Sequence, residues 1–88
     1  MSENSMNYII ENRNSDSVQV IIEPWAEEFS VPSGSKLSIS ILYDKIGALE
    51  VEMSPDYFTV WLWAGCRAGV TLDGKDQTPR SLSIPAPV

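Results

Sequence analysis

Leu49-Glu50-Val51-Glu52-Met53-Ser54-Pro55-Asp56-Tyr57-Phe58-Thr59-Val60-Trp61-Leu62-Trp63 is the stretch whose reading decides the fold. Successive side chains of a β-strand point to opposite faces, so a period of two marks a half-buried strand. Leu49, Val51 and Met53 alternate with Glu50 and Glu52, and Phe58, Val60 and Leu62 alternate with Thr59, Trp61 and Trp63. Between the runs stands Ser54-Pro55-Asp56-Tyr57, with proline at the second turn position, where its fixed φ fits a type I turn. This turn places Met53 opposite Phe58, Val51 opposite Val60 and Leu49 opposite Leu62, all on one face. A slip of one residue would carry Glu50 and Glu52 into the core, so the pattern itself selects the register.

Turning back at Asp44 to Gly47, the same logic pairs Ile41 with Leu49, Ile39 with Val51 and Leu37 with Met53, giving a third strand of a meander. The opposite face of that sheet carries Ser38, Ser40, Glu50, Glu52, Thr59, Trp61 and Trp63.

Outward from this segment the period of two continues and the helical period never persists. Strands are expected at Asn7 to Glu11, Val18 to Glu23, Glu27 to Val31, Lys36 to Tyr43, Ala48 to Met53, Phe58 to Trp63 and Gly69 to Leu72, with a weaker one at Ser81 to Ile84. Turn residues fall between them at Asn12 to Asp16, Pro32 to Gly34, Asp44 to Gly47, Ser54 to Asp56 and Asp73-Gly74. The expected fold is all-β, a small antiparallel β-sandwich or barrel of about seven or eight short strands. With 88 residues it is expected to be one domain, its termini 1–5 and 85–88 frayed, the last of these rich in proline.

Twelve acidic residues against six basic ones give a net charge of −6, which repels nucleic-acid phosphates and anionic lipid and favours a basic protein partner. Direct nucleic-acid and membrane binding are not expected. The opening Met1-Ser-Glu-Asn-Ser-Met-Asn lacks a basic and then apolar leader, and no run approaches the roughly 20 apolar residues of a membrane span. With one cysteine, Cys66, and hence no internal disulfide, the expected compartment is the cytoplasm.

Catalytic and metal-binding signals are thin, and no cofactor or metal is expected. The chain has no histidine, which removes His-based triads and the commonest metal ligand. Cys66, in Ala64-Gly65-Cys66-Arg67-Ala68, has no base beside it in sequence. Glu50 and Glu52 stand about 7 Å apart on one strand face, with nothing to split their environments into acid and base. Asp73-Gly74-Lys75-Asp76 reads as a turn rather than a calcium loop, and no glycine-rich phosphate cradle is present. The expectation is a non-enzymatic protein.

The candidate partner-binding residues are therefore aromatic and acidic: Trp61, Trp63, Glu50 and Glu52 on the outer face, and Glu23, Trp25, Glu27 and Glu28 around the crossing Glu23-Pro24-Trp25-Ala26-Glu27-Glu28. Rigid aromatics anchor interfaces and flanking carboxylates pair with Lys or Arg. Each group also has a structural reading. Trp61 and Trp63 would form a second small core under the Pro24-Trp25-Ala26 segment or the N-terminal hairpin, and Trp25 would plug an open end of the sandwich.

The run Val20-Ile-Ile-Glu-Pro-Trp-Ala-Glu-Glu-Phe-Ser-Val-Pro-Ser-Gly34, followed by Lys36-Leu-Ser-Ile39, resembles the opening half of short acidic bacterial proteins of uncharacterised function predicted to be β-sandwiches; Glu23-Pro24-Trp25 is its sharpest element. In size, acidity and lack of catalytic groups the chain is also similar in type to immunity proteins, which neutralise basic toxins such as nucleases. That likeness implies a one-to-one inhibitory complex and assigns no residue a role. Two other classes stay open: a carbohydrate- or small-ligand-binding sandwich that stacks Trp25, Trp61 or Trp63 on its ligand, and a structural homodimer or larger homo-oligomer formed through the tryptophan face.

Overall fold

Two four-stranded sheets pack face to face in the computed structural model, which describes residues 3–87. Met1, Ser2 and Val88 lie outside the described residues, and with them the outermost positions of the two segments expected to fray. The strands are β1 (Asn4–Glu11), β2 (Val18–Glu23), β3 (Glu27–Val31), β4 (Lys36–Tyr43), β5 (Glu50–Met53), β6 (Tyr57–Trp61), β7 (Arg67–Leu72) and β8 (Lys75–Asp76). One sheet has the order β1-β4-β7-β8 and the other β3-β2-β6-β5. The all-β sandwich expected from the alternation is the observed fold. All its pairings are antiparallel except β2 with β6, which is parallel.

The hairpin at the centre of the sequence forms in the expected register, with Met53 opposite Phe58 and Val51 opposite Val60. The third strand of the expected meander does not join it. Lys36–Tyr43 pairs instead with β1 and β7 in the opposite sheet, so Leu37, Ile39 and Ile41 reach the same core from the other layer. Alternation reports that a strand has one buried face; it does not report which of two facing sheets owns the strand. Ser38 and Ser40 accordingly leave the face that carries Glu50 and Glu52.

Val20, Ile22, Val31 and Val60 from one sheet and Leu37, Ile39, Ile41 and Val70 from the other are almost wholly buried, and Leu82 joins the same core cluster. Truncating one of these larger side chains to alanine typically costs about 2–5 kcal/mol. At one end of the sandwich Asn12 is a buried polar hub. Its Nδ2 donates to the carbonyls of Asp16 and Val31, both at 2.9 Å, and its Oδ1 accepts the Asn14 N–H. The turn Leu72-Asp73-Gly74-Lys75 has positive φ at both central residues, the type I′ geometry of a two-residue hairpin, and so produces the short β8.

Within the two segments expected to fray, several of the described residues make backbone contacts. Asn4 and Ser5 pair with Tyr43 and Leu42, and Ala86 is buried while exchanging backbone hydrogen bonds with Gly65 (3.0 Å) and Cys66 (2.8 Å). The weak last strand is a 3-10 turn, Arg80–Ser83, which suits a segment between Pro79 and Pro85 that cannot donate a full ladder. No helix of the described residues is long and apolar enough to cross a membrane.

Candidate partner-binding face

The register of the β3-β2-β6-β5 sheet determines which side chains share its outer face. Val18, Val20 and Ile22 of β2 point into the core, so Gln19, Ile21 and Glu23 point out. Cross-strand partners share a face, which adds Glu28 and Ser30 from β3, Tyr57, Thr59 and Trp61 from β6, and Glu50 and Glu52 from β5.

Trp61 lies directly opposite Glu23 on one neighbouring strand and Glu50 on the other. With strands about 4.8 Å apart, the indole sits between two carboxylates whose backbones are about 10 Å from each other. The next row runs Glu28, Ile21, Thr59 and Glu52. Glu52 reaches diagonally to accept the Trp61 Nε1–H at 2.7 Å, which fixes the ring on the sheet instead of leaving it to sample solvent. Trp61 remains 40% exposed and Tyr57 43% exposed, while the smaller Thr59 between them is buried. The face is thus an aromatic strip bordered by Glu23, Glu28, Glu50 and Glu52.

Its charge is uncompensated. The four strands of this sheet contain five glutamates and no Lys or Arg, whereas the β1-β4-β7-β8 sheet carries Lys36, Arg67 and Lys75 beside Glu11 and Asp76. Among the described residues the ion pairs are Arg13 with Glu11 and Arg67 with Glu3, and neither touches the glutamate face. The two acidic groups that are remote in sequence meet here, Glu23 and Glu28 on one side of Trp61 and Glu50 and Glu52 on the other.

Three of the expected site residues lie elsewhere. Glu27 faces away from this surface, half-buried, and accepts a hydrogen bond from the Ser81 hydroxyl near the C-terminal segment. Trp25 packs against the core at the end of the sandwich, its Nε1 donating to the Ile84 carbonyl at 3.0 Å, so the plug reading of this residue is the observed one. Trp63 lies beyond the end of β6 and does not continue the Thr59 and Trp61 face. Its Nε1 donates to the Lys45 carbonyl at 2.8 Å, its ring meets Tyr43 edge-on with centroids 5.3 Å apart, and the indole lies flat against Gly47. β2 and β6 run parallel, so Trp25 and Trp63, each just past its strand's C-terminal end, close the same end of the core. The second small core proposed for Trp61 with Trp63 does not form.

Tyr57 and Ile21 belong to the face and were not singled out from the sequence. Their signal was available in the pairing of β2 with β6, but parallel pairing of strands so distant in the chain leaves no turn to read. Cys66 is buried, and burial pushes its thiol above the usual range against a smaller opposing effect of the Trp63 backbone. It is therefore not poised as a nucleophile. Among the described residues no group of three or more acidic, histidine or cysteine side chains is arranged to hold a metal ion. Among the described residues, hollows of about 480, 210 and 190 Å³ open on the surface, and these are lined by neither Trp61 nor the four glutamates. What the face offers is a bordered plane rather than a cleft. No family model, curated protein or solved structure matches the chain.

Proposed function

We propose that this chain is a non-enzymatic binding module that neutralises a basic protein, such as a toxin nuclease, by laying the outer face of the β3-β2-β6-β5 sheet over the partner's active site. The carrying observation is the placement of Glu23, Glu28, Glu50 and Glu52 around exposed Trp61 and Tyr57, with no Lys or Arg on any strand of that sheet. A nuclease site is lined with cations that hold phosphate. A carboxylate-bordered plane offers those cations substitute partners and steers the encounter, while the aromatic strip supplies apolar area and excludes water. Inhibition would then be both electrostatic and steric, with no group on this chain undergoing chemistry.

The test is capture of partners from the native cell extract at low and high salt, followed by expression of the captured protein and measurement of its activity with and without this chain. A stoichiometric basic partner, released at high salt and inactive when bound, is the expected result. The Glu50→Lys/Glu52→Lys double variant and Trp61→Ala should each weaken that complex by roughly 30-fold or more, the weight of a 2 kcal/mol hot spot, with the circular-dichroism spectrum unchanged. Folded variants that bind and inhibit as tightly as the parent would remove this face from the interaction.

A further inference from the structure

A sandwich of two open sheets has four edges, and three of them are protected. β8 is two residues long, β3 carries Glu27 and Glu28, and β5 carries Glu50 and Glu52. Short strands and charged side chains are the ordinary ways in which sheet edges are blunted. β1 has neither. It is eight residues long, pairs only with β4, and from Asn4 to Ile10 contains no charge and no proline. Ile9 on its outer face is 58% exposed.

Two hydrogen bonds fix which backbone groups of β1 look outward. The Asn12 N–H donates to the Ser35 carbonyl and the Asp73 N–H to the Lys36 carbonyl. Extended along the observed registers, this alternation turns the N–H and C=O of the even residues Met6, Tyr8 and Ile10 toward β4. Those of Ser5, Asn7, Ile9 and Glu11 then point to the free edge. Among the described residues no backbone group pairs with that edge.

We propose that this edge is the interface with a second copy of the chain, the two β1 strands pairing antiparallel about a dyad at Tyr8. In that register Ser5 faces the other copy's Glu11 and Asn7 faces its Ile9, which forms about eight interstrand hydrogen bonds. On the inner face Tyr8 meets Tyr8 and Met6 meets Ile10, so the half-buried Met6 and Tyr8 gain apolar cover. The alternative dyad at Asn7 sets Glu3 against Glu11 and is disfavoured by like charge.

The occupant is a copy of the same chain because the strand is self-complementary and locally neutral. Glu3 and Glu11 at its two ends are already paired with Arg67 and Arg13, and the uncompensated carboxylates lie on the other sheet. The dyad runs perpendicular to the joined sheet, so both glutamate faces point the same way and the dimer presents two binding planes to one side.

Analytical ultracentrifugation of the full chain across micromolar to submillimolar concentration tests this. The expected species has twice the 9.8 kDa chain mass. Ile9→Pro deletes an outward N–H that β4 does not use, at an edge position where proline is tolerated, and should give a folded monomer. Ile9→Lys keeps that N–H, preserves the strand if proline does not, and should weaken the dimer at least tenfold by diagonal like-charge contact. A parent chain that stays monomeric throughout overturns the proposal, as does a dimer that both folded variants leave intact. Because the edge and the glutamate face are on different sheets, monomeric Ile9 variants should still capture the basic partner, so the two readings can fail separately.

Discussion

Gly47 shows how a single position can be set by a neighbour rather than by its own backbone. A Cβ built there would lie 2.2 Å from Cγ of Trp63, inside the indole itself, and φ at this glycine is not in the left-handed region. The glycine is required because the β4–β5 loop lies flat on the ring whose N–H its Lys45 carbonyl accepts. Gly47→Ala should therefore destabilise the domain by about 1–3 kcal/mol through overpacking, read as a lower denaturant midpoint with an altered tryptophan emission. Trp63→Ala removes the obstacle, so the double variant should lose less than the two single costs added together, and strict additivity would refute the contact. The sequence marked Trp63 as aromatic and on the parity of Trp61, which would suffice if β6 ran two residues further. The strand ends at Trp61, and beyond it parity no longer predicts direction.

At the scale of elements, the boundaries of β2, β3 and β4 and the β5–β6 register were legible, because each rests on local alternation and a nearby turn residue. Sheet membership was not: β4 and the parallel partner of β2 are fixed by contacts remote in the chain, to which a period of two is blind. β8 was missed for a different reason. Asp73-Gly74 read as a turn, but the two-residue arm beyond it has no periodicity to detect. That hairpin has a testable acid sensitivity. The Lys36 backbone N–H, with the Ser35 side chain, holds the Asp73 carboxyl below the usual carboxylate range, and the Thr78 hydroxyl and N–H do the same for Asp76. A carboxylate whose folded pKa is depressed contributes stability above its unfolded pKa and loses it as pH falls through the folded one. Stability should thus begin to fall below about pH 4. Asp73→Asn/Asp76→Asn retains the acceptor oxygens without the titration, and its thermal midpoint should decline less on acidification. Equal declines in parent and variant would assign the acid sensitivity to other carboxylates.

For the whole molecule, the decisive property is that a net charge of −6 is unevenly spread, with the glutamates of one sheet in no ion pair among the described residues while the cations sit on the other sheet and in loops. Glu50 and Glu52 stand about 7 Å apart on one strand, and Glu23 and Glu50 about 10 Å apart across Trp61. These spacings are well inside the Debye length of about 30 Å at low salt and comparable to the roughly 8 Å of physiological ionic strength, so these carboxylates repel one another across the folded surface most strongly at low salt. The free protein should therefore gain stability as sodium chloride rises from low to physiological concentration. A gain of about 1 kcal/mol in a domain of this size corresponds to a melting temperature higher by roughly 4–8 °C. Glu23→Gln/Glu50→Gln, which keeps the shape beside Trp61 and removes two charges, should be more stable than the parent at low salt and show a flatter dependence. A complex with a basic partner should respond with the opposite sign, weakening as salt screens the attraction. Melting curves across a salt series, with and without the partner, separate the two effects. A parent melting temperature that is flat or falls with salt would mean that the glutamates do not repel, and that their congregation around Trp61 costs the fold nothing. If it rises with salt while the complex weakens, the same carboxylates oppose folding and favour association, as expected of charges placed for a partner.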